Sequence, residues 1–99
     1  MRPEERSEVL KLTAEAHAKV EKALIKNGAK KGDAEWLDKR RLLLADLSLH
    51  MVQASVQEQM DIGMMKRYLY SILTICSDFM PEAHLKETAN GLLETTQPE

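Results

Sequence analysis

Ninety-nine residues suffice for one domain and are too few for two. A hydrophobic fraction of 43% beside 30% charged residues belongs to a globular chain rather than a disordered one, and with 4% aromatic residues the core has to be aliphatic. Fourteen Lys and Arg against sixteen Asp and Glu leave a formal charge of −2, which excludes a whole-domain attraction to nucleic acid; the lone Cys76 excludes an internal disulfide and a Cys-rich zinc site.

The first helix is expected over 4–26. Pro3 suits a first turn, Glu4 and Glu5 suit the positive end of the helix dipole, and Asn27-Gly28 supplies a stop. Val9, Thr13, Ala16, Val20 and Ala23 recur at alternating spacings of four and three, giving a narrow stripe of small side chains, with Leu10, Leu12 and Leu24 on its flanks. A polar connection bracketed by Gly28 and Gly32 follows, and Asp33 is the expected N-cap of the next helix. Helices joined this way fold back antiparallel.

The second helix is expected over 34–59. Leu42, Ala45, Leu49, Val52 and Val56 share one face, and Leu37, Leu44, Leu47, Met51 and Ala54 extend the apolar surface around it. Only a thin polar stripe remains, made of Lys39, Asp46, His50, Gln53 and Gln57. One neighbouring helix cannot cover so much apolar surface, so this helix should be central, and the face from Leu42 to Val56 is the expected homodimer interface.

Beyond Val56 the pattern slips. The stripe Ile62, Met65, Leu69, Ile72, Cys76 and Phe79 is rotated by about 120° from the previous one, which places a break near Asp61 to Gly63 with Asp61 as a cap. A third helix over 62–78, a short fourth over 80–89 ended by Asn90-Gly91, and a frayed tail over 92–99 complete an all-α antiparallel hairpin or bundle of three to four helices, completed by homodimerisation. The longest nearly apolar run, Leu42 to Leu49, contains Asp46 and is too short for a membrane span, and no signal-peptide stretch opens the chain. The expected setting is the reducing cytoplasm.

Few residues point to chemistry. His17, His50 and His84 fall on three different predicted helices without an HxxxH pair, so they are read as solvated or half-buried rather than as metal ligands. Asp46 and His50, four apart on the polar stripe, are spaced to hydrogen-bond. Cys76 on an apolar stripe reads as an inert thiol. No GxGxxG, P-loop, GxSxG or paired acidic motif occurs, so no catalytic residue, cofactor or metal is expected and the chain is not read as an enzyme. Lys30, Lys31, Lys39, Arg40 and Arg41 gather near Trp36, but Asp33, Glu35 and Asp38 interrupt them, which makes a solvated face a better reading than a nucleic-acid contact.

Met51, Met60, Met64, Met65 and Met80 crowd the second half of the chain. Core packing is one use of them. Another is a second apolar strip of Met64, Tyr68 and Ile75, off the main stripe of the third helix, that a protein partner covers, with Trp36 and Arg40 as a further contact region.

Two short stretches, His17-Ala18-Lys19-Val20-Glu21-Lys22-Ala23 and Ala45-Asp46-Leu47-Ser48-Leu49-His50, resemble the TraM-type quorum-sensing antiactivators, small all-helical proteins of about this length. The chain departs from them at Asp61 to Ala89, which adds helical material, and no functional residue is carried over. The resemblance implies a homodimeric helical protein that binds a LuxR-type transcription activator and blocks its binding to DNA. The expected function is therefore non-enzymatic sequestration of a protein partner; the alternatives are a small DNA-binding regulator using the Lys30 to Arg41 region, or a secretion chaperone or immunity-type helical protein.

Overall fold

The computed structural model describes residues 1–94, and over them the chain is all helical: α1 (Pro3–Lys26), α2 (Trp36–Ser55), α3 (Ile62–Cys76), a 3₁₀ turn (Pro81–Ala83) and α4 (Leu85–Glu94). The N-terminus of α1 is closed by the Glu5 carboxylate, which accepts the backbone N–H of Arg2 at 2.9 Å. Asn27 ends the helix as expected, its side-chain oxygen accepting the N–H of Ala29.

Several boundaries differ from those expected, each for a local reason. Asp33 does not cap α2, because its carboxylate accepts the N–H of Lys30 at 2.7 Å and closes a turn in which Gly32 takes a φ of 101°. The helix therefore starts at Trp36, not at 34. It stops at Ser55 rather than near 59: the Arg6 guanidinium reaches across from α1 and donates to the Val56 carbonyl at 2.8 Å, while Ser55 and Gln57 side chains donate to the carbonyls of Val52 and Gln53. The expected break is thus a connection of six residues, 56–61, and Asp61 caps α3 by accepting the N–H of Met64 at 3.0 Å.

The fourth helix of 80–89 is replaced by two pieces. His84 adopts a left-handed conformation with φ 53° after the 3₁₀ turn, and α4 then runs through Asn90-Gly91 to Glu94. Packing wins over propensity here: Ala89 is 1% exposed, and holding α4 in contact with α3 outweighs a glycine cost of about 1 kcal/mol. Of the expected tail, 92–94 belong to α4 and 95–99 lie outside the described residues.

The principal helix contacts are sequential, α1 with α2, α2 with α3, and α3 with α4. Cross-helix pairs fix their direction. Residue 6 meets 56, residue 17 meets 46 and residue 27 meets 35, so α1 and α2 are antiparallel; 40 meets 78 and 50 meets 68, so α2 and α3 are antiparallel as well. The dimensions are 45 × 34 × 18 Å, and the thinnest, 18 Å, is less than two helix diameters of about 10–12 Å. The radius of gyration is 15.4 Å where about 13 Å is usual for such a length. Only Thr13, Ala29, Ala54, Ile75 and Ala89 are buried among the described residues, and large apolar side chains on every α-helix are left exposed.

Candidate functional site

Helix α2 packs between α1 and α3. Three residues of its polar stripe are engaged there: Lys39 donates to the Ala29 carbonyl of the α1–α2 connection at 3.1 Å, Asp46 meets His17 of α1, and His50 stacks on Tyr68 of α3. These three and Gln53 are half-buried, as are Leu42, Leu44, Ala45, Leu47, Leu49 and Met51, whereas Leu37 is 52% and Val52 37% exposed. The engaged polar side chains build one site, and the exposed apolar side chains offer a surface.

The polar site lies where three helices converge. The Nε2 of His17 lies 2.7 Å from Oδ1 of Asp46, a close polar contact between imidazole and carboxylate. The Nε2 of His50 is 3.6 Å from the other carboxylate oxygen, too far for a hydrogen bond, so the bond that the spacing of Asp46 and His50 allows is not formed and the closer contact of Asp46 runs to α1. The two imidazoles meet edge to face with centroids 4.7 Å apart, and the ring of Tyr68 lies nearly parallel to His50 at 5.6 Å. On the far side of His17, Nδ1 is 3.8 Å from a carboxylate oxygen of Glu21. All three side chains are half-buried, at 22% exposure for His17, 21% for Asp46 and 33% for His50.

His17 and His50 are half-buried and His84 is exposed, and the fold brings the first two together from different helices. Among the described residues, His17, Asp46 and His50 form the group of potential ligands whose donor atoms all lie within 4.8 Å of one another. His84 remains exposed, beside a hollow of about 250 Å³ between Ser77-Asp78 and the start of α4. Spacing showed half of the cluster, the pair Asp46 and His50 one helical turn apart. The third member depends on how α1 pairs with α2, which no local pattern encodes.

The residues expected to meet a partner separate. Met64 is 40% exposed and Tyr68 half-buried, but Ile75 is only 6% exposed, because it turns toward α2 at the head of a groove lined by Leu43, Leu47, Tyr70 and Thr74. Ile75 is therefore core, and the expected strip of Met64, Tyr68 and Ile75 is not one surface. Arg40 is likewise engaged inside the chain: its Nε is 2.7 Å from Oδ2 of Asp78 and its guanidinium carbon lies 5.6 Å from the centroid of the Trp36 ring. The other basic residues are dispersed, with Lys39 bound to a backbone carbonyl and Arg41 3.5 Å from Asp38.

Of the expected dimer face, Leu42 faces α1 beside Ala23 and Ala29, Val52 is exposed, and Ala45, Leu49 and Val56 are half-buried. No helix among the described residues is long and apolar enough to cross a membrane. No family model, no curated protein and no solved structure matches the chain.

Proposed function

We propose that this protein is a homodimeric helical regulator that binds and sequesters another protein without catalytic turnover. The observation that carries the proposal is the outward-facing apolar surface. A folded chain of 11.3 kDa exposes roughly 5,700 Å² by the usual size scaling, and this one exposes 7189 Å². The excess, on the order of 1,500 Å², exceeds the roughly 800 Å² that each partner contributes to a standard protein interface. Leu12 and Ile25 on α1, Leu37 and Val52 on α2, and Ile62, Met64 and Leu69 on α3 are large apolar side chains exposed on this surface.

A second copy of the chain covers part of this surface and a target protein covers the rest. The stretches that resemble the TraM-type antiactivators are those that carry His17, Asp46 and His50, and they name the target class as a LuxR-type transcription activator. The test mixes the purified protein with such an activator on its operator DNA in a mobility-shift titration. Loss of the activator–DNA band with a saturable dose, and no band between this protein and the DNA alone, is the expected result. Direct binding of the protein to DNA, falling steeply with salt, would replace sequestration by DNA binding.

A further inference from the structure

We propose that His17, Asp46 and His50 form a binding site for one divalent transition-metal ion of the zinc class, clasping α1 to α2. Two imidazole nitrogens and one carboxylate oxygen are a donor set for borderline ions: all-oxygen shells suit Mg²⁺ and Ca²⁺, and soft ions call for thiolates, whereas two histidines and one carboxylate recur in zinc sites with an open position. An ion bound at about 2.0–2.2 Å in tetrahedral geometry holds its ligand atoms roughly 3.3–3.5 Å apart. One oxygen of Asp46 is 2.7 Å from Nε2 of His17 and the other 3.6 Å from Nε2 of His50, and one donor atom from each residue lies within 4.8 Å of the others, so side-chain rotations that present a single carboxylate oxygen to both rings bring the donors onto an ion.

The surroundings fit the same use. Asp46 and His50 are one helical turn apart on α2 and project along one face, while α1 supplies the third ligand. Coordination through Nε2 requires the tautomer of His17 protonated on Nδ1, and the Glu21 carboxylate, one turn along α1, lies on that side of the ring at 3.8 Å, close enough for a side-chain rotation to bring it to the Nδ1 proton. Stacking on Tyr68 holds the plane of His50. The half-buried setting leaves one side of the cluster open to water, which takes the fourth position.

The test is calorimetric titration of the chelator-treated full chain with Zn²⁺ near neutral pH, with Co²⁺ absorption as a spectroscopic check. The expected result is one ion per chain with a dissociation constant in the micromolar range or tighter, no competition from Mg²⁺, and a loss of affinity of at least about tenfold in each of His17→Gln, Asp46→Asn and His50→Gln. His84→Gln should bind as the parent does. Because a cluster variant can lose its fold, the unmodified protein supplies an independent reading: one equivalent of Zn²⁺ should shift the imidazole nitrogen resonances of His17 and His50 and leave those of His84 in place. Absence of saturable binding, or ion-induced shifts confined to His84 or the N-terminus, overturns the proposal.

Discussion

The imidazole of His17 and the carboxylate of Asp46, 2.7 Å apart, join the midpoints of two antiparallel helices through a half-buried polar contact. Above it α1 and α2 are tied by Arg6 on the Val56 carbonyl, and below it by Asn27 and Lys39 at the connecting loop. The α1–α2 contact, whose buried residues at each end are the small Ala29 and Ala54, is thus pinned at three heights by polar groups. Replacing Asp46 by Ala leaves the half-buried imidazole of His17 without its carboxylate partner. The expected cost is about 1–3 kcal/mol in urea unfolding, and Asp46→Asn, which keeps an acceptor oxygen, should lose less.

A second polar tie, between Arg40 and Asp78, fixes the start of α2 to the end of α3. Both side chains are partly screened by solvent, so the pair is worth less than a buried one. A double-mutant cycle with Arg40→Ala and Asp78→Ala should give a coupling of about 0.5–1 kcal/mol, diminished in high salt. Arg40→Ala alone should cost more than Asp78→Ala, because it also removes the guanidinium from the Trp36 ring.

Ile75 and Met64 share a helix and differ in environment. With 6% exposure Ile75 fills the contact with α2, so Ile75→Ala should destabilise the protein by about 2–4 kcal/mol. Met64, 40% exposed, should tolerate Ala within about 0.5 kcal/mol unless the dimer covers it. Chemical denaturation at low and high protein concentration separates the two cases, since only a covered Met64 gives a concentration-dependent loss.

Helical class, the turn at Asn27-Gly28 and the Asp61 cap were legible in the sequence because each depends on neighbours a few residues away. Other features were hidden for identifiable reasons. Asn90-Gly91 reads as a stop, yet α4 continues through it because Ala89 packs tightly, and tertiary contact is invisible to a local signal. The surroundings of α2 were hidden in a different way. Lys39, Asp46 and His50 form a polar stripe in the sequence, and what each of them meets depends on how the helices pair: Lys39 reaches the Ala29 carbonyl of the connecting loop, Asp46 meets α1 and His50 meets α3, while Leu37 and Val52 stay exposed.

The last prediction follows from the exposure of Leu37 and Val52. If the outward face of α2 lies between two copies, sedimentation equilibrium at micromolar concentration should show a species of twice the 11.3 kDa chain mass. Leu37→Glu and Val52→Glu should each weaken the dimer by at least about tenfold, roughly 1.4 kcal/mol, since a lone carboxylate resists burial in an apolar interface. The fold of each chain should survive, because both positions are open to solvent in the single chain at 52% and 37% exposure, and the helical circular-dichroism signal should hold at concentrations where the parent is dimeric. Carboxylates at these positions that leave the sedimentation profile unchanged would transfer the interface to α1, where Leu12 and Ile25 are 59% and 77% exposed and the corresponding Leu12→Glu and Ile25→Glu variants apply the same measurement. An 11.3 kDa species alone, across the whole concentration range, would remove the homodimer and leave the apolar surface to the target protein.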